Sequence, residues 1–385
     1  MTSSTRTVVV LGAGNGGCTL AADLTLRGFS VTLVDLPEFD SALQPIRDRG
    51  GIQLSGVLGE HFVAPHRITT DISEALDDAG LVLISVPAFA HAIMATRCAP
   101  HLRPDHTLVL NPGSTGGALV FARLLLDAGV ADGVIVAETM SLPYACAKQN
   151  PTHIHVYGVK ADLPIAAFPA NKTSILLQIL DGVYPGALLP AQNVFETSLN
   201  NLNAIAHPFT MLLNVGWLES NQGGFLFYPQ GISPTVAEVM EAADCERMGV
   251  ARALGLPAVS LVEWDRRQYG LPGGTLYEMM HGSVVHGSLK APPSLNHRFL
   301  NEDVPYGLVP YASLGKTLGL ALPVTELFVH LACLLRHTDF WSQGYNVEKL
   351  GLAGLNAEQM LKVVNEGWRA TASVESHTIA AAEQP

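Results

Sequence analysis

Charge is scarce in this chain of 385 residues: Asp, Glu, Lys and Arg make up only 15% of it, and acidic side chains outnumber basic ones 34 to 22. The formal net charge of -12 repels polyanions, which argues against nucleic acid or an anionic membrane surface as a partner. Any anionic substrate must therefore meet local cations. Cysteine is scarce too: Cys18, Cys98, Cys146, Cys245 and Cys333 are odd in number, widely spaced and without a C-x-x-C pair. Reduced thiols in a cytoplasmic protein are expected, rather than disulfides or a metal site. Long apolar runs are missing, and the opening "MTSSTRT" has no apolar h-region, so neither a membrane span nor a signal peptide is expected. There is no G-x-S-x-G elbow, which disfavours a hydrolase, and no H-E-x-x-H or Cys/His spacing for a metal.

What the chain does have is apolar residues, 48% of the total, enough for two domains of roughly 150 to 200 residues each. From Thr7 to about Pro190, short aliphatic runs alternate with helical stretches: "TVVVLG", "VTLVDL", "LVLISV", "TLVLNPG" and "GVIVAE" read as buried parallel strands. Helices are expected near residues 15 to 28, 87 to 98 and 116 to 128, and a hairpin excursion over residues 51 to 70. This is an α/β Rossmann pattern with a doubly wound sheet, spanning residues 1–190. Residues 191–385 form a mostly α-helical domain, with helices expected at 192 to 220, 235 to 254, 258 to 268, 307 to 318 and 324 to 337. The tail "SVESHTIAAAEQP" reads as a disordered end.

The dinucleotide signature is "VVVLGAGNGGCTLAADL", Val8 to Leu24, in which Gly12, Gly14 and Gly17 fit G-x-G-x-x-G between a strand and a helix. Gly12 permits the turn, Gly14 admits a pyrophosphate, and Gly17 lets helix and strand approach. Asn15 and Gly16 open the helix whose N–H groups and dipole face the phosphates. Asp35, at the end of the next strand, suits the ribose hydroxyls and would repel a 2′-phosphate, and the following "LPEFD" has no cation. NAD is therefore favoured and NADP disfavoured. The turns "SVPAFAH", with Pro87, and "NPGSTGG", with Asn111 and Gly113, end two further strands and border the same crevice.

In the second half, "AQNVFETSLNNLNAIAHPFTMLLNVGWLES" is apolar on most sides, yet Asn200, Asn203, His207, Thr210 and Asn214 align as one polar seam on a continuous helix. Such a seam implies a site or a wet interface, and as a site it has Asn203 and Asn214 binding substrate beside His207. Pro208 is expected to kink the helix there. Downstream, "SLNHRFLNEDVPYGLVPYASLGKTLG" crowds Arg298, Glu302 and Asp303 together. This reads either as a solvated loop with a helix cap at Asp303, or as a carboxylate that orients an imidazole beside an arginine for a substrate carboxylate. "HIH", His153 and His155, reads as a surface or edge strand, and His281 and His286 form no constellation.

Taken together, "LGAGNGG", "SVPAFAH", "NPGSTGG", "AETMSLPYAC", "NAIAHP...LLNVGWLE" and "HRFLNEDVPYGLVP" make the chain resemble the octopine/opine dehydrogenase family, over about Thr7 to His337. The resemblance implies a Rossmann domain followed by an all-helical one, with the active site between them. It also implies reductive condensation of an amino acid with an α-keto acid using NADH. On this resemblance His207 is the catalytic histidine, Asp303 its partner and Arg298 the substrate-carboxylate residue. Lys148, in "YACAK", is a departure: similar sequences carry an arginine one position earlier, at Ala147, so one substrate contact is expected to differ. The competing readings are a reductase of a simple 2-keto or 3-keto acid, and a non-catalytic NAD-binding protein. Against a ketopantoate-type reductase, no lysine lies between Lys172 and Lys290. His207, Asp303 and Arg298 together argue against the binder. A homodimer is compatible with the apolar helical domain.

Overall fold

The computed structural model describes residues 6–368 except 78, 131, 270–273, 283–286 and 288; His286 and the tail from Ser373 lie outside the described residues. The chain divides into two compact units. The first comprises the chain up to Gly113 together with Gly117–Val194, and the second comprises Ser114–Gly116 and the chain from Phe195 onward.

The first unit runs β1 (Thr7–Leu11), α1 (Asn15–Leu26), β2 (Ser30–Val34), α2 (Asp40–Arg49), β3 (Ile52–Gly56), β4 (His61–Val63), β5 (Arg67–Thr69), α3 (Ile72–Asp77), β6 (Leu81–Ile84), α4 (His91–Cys98), β7 (Thr107–Leu110), α5 (Gly117–Asp127), β8 (Ile135–Thr139), β9 (Tyr144–Asn150), β10 (His153–Val159), β11 (Asp162–Phe168), α6 (Thr173–Ile179) and β12 (Ala187–Pro190). Its main sheet has the order β12-β11-β8-β7-β6-β1-β2-β5, and every neighbouring pair is parallel except β11 with β8. Val8 to Leu11 and Leu81 to Ile84 are buried, as continuous aliphatic runs must be when helices cover both faces. The strand order reverses between β1 and β6, which puts the ligand crevice of a doubly wound sheet at their carboxyl ends.

The excursion is richer than a hairpin. β3 and β4 do pair antiparallel, but β5 returns to the main sheet beside β2. A second sheet, β4-β3-β10-β9, then joins strands about 100 residues apart. "HIH" consequently lies on an interior strand rather than an edge, because β10 is flanked by β3 and β9. Both of its imidazoles meet the buried Ser55 hydroxyl, His153 Nε2 at 2.8 Å and His155 Nδ1 at 2.9 Å.

The second unit is helical: α7 (Val194–Leu199), α8 (Asn203–Leu212), α9 (Val215–Ser220), α10 (Phe227–Gly231), α11 (Pro234–Ala253), α12 (Leu261–Tyr269), α13 (Leu276–Gly282), α14 (Arg298–Asn301), α15 (Val309–Thr317), α16 (Pro323–Arg336), α17 (Phe340–Gln343) and α18 (Ala357–Glu366). α7 begins at the last residue of the first unit. Local chemistry sets several starts. Ser233 caps α11 by accepting the Val236 N–H ahead of Pro234, and Asn356 and Gln359 form a capping box on α18. The single helix expected over 192 to 220 is instead three. After Leu199 the chain is diverted by a buried arginine: Arg247 donates to the Leu199 carbonyl, and Asn200 Oδ1 accepts the Val259 N–H at 2.9 Å. The five-residue polar seam is thereby broken, with Asn200 committed to this knot.

Pro208 does not interrupt α8, which runs through it. The irregular backbone lies elsewhere, at the wide π-type turn Val304–Leu308, where Tyr306 has φ -112° and ψ 16°.

Candidate active site

In the first unit, the turn after β1 is shaped by contact. Gly12 has φ +104°, and a Cβ there would stand 2.4 Å from the Ser85 carbonyl oxygen; one on Gly17 would stand 1.7 Å from that of Gly12. Gly16 is pressed against Ser85 and Leu142. Gly14 differs, with nothing within 4 Å of its would-be Cβ. It caps α1 without a side chain, so no capping hydrogen bond occupies the first turn that Asn15 and Gly16 open. An open glycine before an uncapped helix of 12 residues fits a dinucleotide diphosphate.

Asp35, 8% exposed, accepts the Ala13 N–H at 2.7 Å through Oδ2 and the Leu36 N–H at 2.8 Å through Oδ1. Burial pushes its carboxyl up, while these donors and then the Lys148 ammonium pull the other way. It sits at the loop as the motif requires. Pro87 starts the turn after β6, whose Ser85 N–H donates to the Leu11 carbonyl. Asn111 turns inward: its amide donates to the Val109 carbonyl at 2.7 Å, and its oxygen accepts from the Tyr184 hydroxyl at 2.6 Å. Its amide is thereby committed on both sides within the first unit. Gly113 is held by packing, since a Cβ would stand 2.1 Å from Glu138 Oε2.

In the second unit, α8 presents His207, and its Nδ1 lies 2.7 Å from Oδ2 of the buried Asp303. Asp303 opens the π-type turn, so the irregular backbone aims the carboxylate. A carboxylate on Nδ1 fixes the tautomer with Nε2 available for chemistry. The ring stacks on Phe299 at 3.9 Å between centroids, with Tyr228 at 6.3 Å and Phe227 at 6.5 Å. His297 abuts the same Phe299 and accepts its N–H; burial, then the nearby Arg298 and His207, push the His297 pKa down. Arg298 starts α14 and is gripped by Glu302, Nε at 3.0 Å and Nη2 at 2.8 Å from Oε2. The loop reading of "HRFLNED" is thereby set aside: Glu302 and Asp303 are 3% and 5% exposed.

Asn203 is exposed, one turn before His207 on α8. Asn214 donates to the Thr210 and Gly231 carbonyls at 2.8 and 2.7 Å, tying the end of α8 to α10. The aromatic wall of Phe227, Tyr228 and Phe299 was missed from sequence. Its signal, aromatics beside "HR" and in "FLFYP", is indistinguishable from core. Lys148 is turned to the glycine loop: its Nζ donates to the Ala13 carbonyl at 2.7 Å and its N–H to Asn15 Oδ1 at 3.2 Å. Among the described residues no group of three or more His, Cys, Asp or Glu could hold a metal, and no helix is long and apolar enough to cross a membrane.

Residues 190–336 match the family described as NAD/NADP octopine/nopaline dehydrogenase, alpha-helical domain, and residues 8–169 match ketopantoate reductase PanE/ApbA. The opine dehydrogenase of Arthrobacter sp. (strain 1C) is 37% identical over 352 residues, covering 91% of this chain and 97% of that one. The octopine dehydrogenase of Pecten maximus is 25% identical over 84% and 88% of the two chains. The fold is shared with octopine dehydrogenase in complex with NADH and agmatine, at TM-score 0.76 and 21% identity over 93% of this chain and 98% of that one. It is shared also with NADP+-bound yersinopine dehydrogenase, at TM-score 0.67 and 18% identity over 95% and 99%. With the glycine loop and Asp35 in the first unit, the His207–Asp303 pair in the second, and a relative this similar along nearly its whole length, the chain belongs to the octopine/opine dehydrogenase family.

Proposed function

We propose that this protein reductively condenses an amino acid with an α-keto acid at the expense of NADH, with His207 as its acid catalyst. The observation that carries the reading is the buried 2.7 Å pair of His207 Nδ1 and Asp303 Oδ2. The amine of one substrate attacks the keto carbon of the other, water leaves, and the resulting C=N is reduced to a secondary amine. Bound NADH supplies the hydride. The balance consumes one proton and releases one water, and His207 Nε2 holds that proton for the departing oxygen. Asp303 keeps the ring oriented and balances its charge. Arg298 receives the keto-acid carboxylate as a fork donor, with Glu302 holding its Nε and Nη2. Asn203 supplies a further polar contact to substrate from the same face of α8. Gly12, Gly14, Asn15, Gly16, Gly17, Asp35, Pro87, Asn111 and Gly113 form the cofactor crevice.

A cytoplasmic setting is supported by cysteines that are few, odd in number and widely spaced along the chain. A homodimer is supported by Leu327 and Leu334, 61% and 69% exposed and seven residues apart on α16. The experiment is NADH oxidation with pyruvate, run with each amino acid singly and with the product identified by mass. Turnover should require both substrates and yield a secondary amine. Full turnover with the keto acid alone would make it a simple keto-acid reductase.

A further inference from the structure

The residues that directly follow Asp35 in the chain include no cation, yet the fold brings one from a strand more than a hundred residues away. Lys148 of β9 reaches the glycine loop twice: its N–H donates to Asn15 Oδ1 at 3.2 Å, and its Nζ donates to the Ala13 carbonyl at 2.7 Å. The Ala13 N–H is meanwhile held by Asp35 Oδ2 at 2.7 Å. Ala13 is thus held at both of its backbone polar groups, by an anion on its N–H and a cation on its carbonyl. The two charges are close enough that the ammonium favours the ionised form of Asp35.

We infer that Lys148 is a specificity-determining residue of the cofactor site: by setting its charge against Asp35 at the loop, it offsets the repulsion that a ribose 2′-phosphate meets there. This rests on the dinucleotide reading of the glycine loop given above. A carboxylate alone at the end of β2 excludes the 2′-phosphate by charge, whereas a carboxylate with an ammonium on the adjoining peptide leaves that end of the site close to neutral. Asp35 still accepts from ribose hydroxyls, so NADH remains the better ligand. The margin over NADPH is what Lys148 narrows. The charge arrives from the small second sheet, so that sheet has a part in choosing the cofactor.

The test is titration of NADH and NADPH by fluorescence into the wild type, Lys148→Met, Lys148→Arg and Asp35→Asn, with thermal melting to verify folding. In Lys148→Met the ratio of NADPH to NADH dissociation constants should rise about tenfold, the scale expected for losing one nearby charge. Lys148→Arg should hold that ratio within about threefold of the wild type. In Asp35→Asn, where the cation is left without its counter-charge, the ratio should fall below the wild-type value. An unchanged ratio in a folded Lys148→Met overturns the inference, as does an equal loss for both nucleotides. A raised keto-acid KM with both dissociation constants unchanged overturns it too, and returns Lys148 to the substrate. If Lys148→Met does not fold, an Asp35→Asn ratio at or above the wild-type value overturns it instead. Failure of the wild type to bind either nucleotide would sink the dinucleotide reading itself, a different result from a bound pair whose ratio does not move.

Discussion

His207 Nδ1 and Asp303 Oδ2 meet at 2.7 Å although 96 positions separate them in the chain. The pair joins a regular helix to an irregular turn, and each contributes something the other cannot. α8 supplies a rigid platform, and the π-type turn after Asp303 aims its carboxylate. A neutral amide at 303 would keep the shape but lose the charge. Asp303→Asn should therefore lower turnover while leaving the NADH dissociation constant within about twofold of the wild type, and His207→Ala should lose about 10² to 10⁴-fold in kcat. Steady-state kinetics beside a separate NADH titration checks both. Near-wild-type turnover in His207→Ala would make that histidine a core residue.

Arg298 and Glu302 are expected to separate binding from chemistry. If the guanidinium meets the keto-acid carboxylate already in the ground state, Arg298→Ala should raise the keto-acid KM by about tenfold or more with a smaller effect on kcat. Glu302→Gln should raise it less, because the arginine keeps its charge and loses only its anchor. Equal losses in kcat and kcat/KM for Arg298→Ala would instead make it a transition-state group.

Arg247 is fully buried, with Asp244 at 2.7 Å from Nη2 and the Val259 carbonyl at 2.6 Å. Removing one partner of a buried pair strands the other charge, at a cost of about 3 to 5 kcal/mol. Asp244→Ala should therefore lose stability on that scale in urea unfolding. It should also release the Leu261 N–H that Asp244 Oδ2 accepts at 2.8 Å. A change below about 1 kcal/mol would show that water rescues the arginine.

His91 sets a pH limit on stability. Complete burial lowers its pKa to about 4 from 6.5, so the folded state holds it neutral while the unfolded state binds a proton. Its contribution is fully present above pH 6.5 and is lost as pH falls from there to about 4, a change of order 3 kcal/mol. Unfolding free energies measured across that window should fall more steeply for the wild type than for His91→Gln. Parallel curves would mean that some other group governs the acid limb.

Much of the architecture was legible because its signals are local. Five aliphatic runs gave five parallel strands, and the glycine spacing lay where a strand hands over to a helix. His207 and Asp303 were legible by resemblance, and their contact is a product of the fold. What stayed hidden depends on partners distant in sequence. Periodicity could not show that a helix would end at Leu199, whose carbonyl Arg247 takes, or that β3 would pair with β10. Nor could it bring Lys148 to the Ala13 carbonyl, since "LPEFD" is cation-free and the cation comes from β9. The small sheet was unreadable for the same reason, since its central pair, β3 with β10, joins two separate stretches of the chain.

The glycines of the loop answer to different demands. Gly17 has no room for a side chain, because the Gly12 carbonyl already occupies the place, so an alanine there is a folding defect. Gly14 has open space before it, and the protein alone gives no reason to forbid a methyl group. Gly14→Ala should therefore melt within a few degrees of the wild type yet bind NADH at least tenfold more weakly, as measured by melting and fluorescence titration. One motif thus contains both a scaffold mutation and an intact protein with a weakened dinucleotide site, the latter a ready control for telling folding from binding.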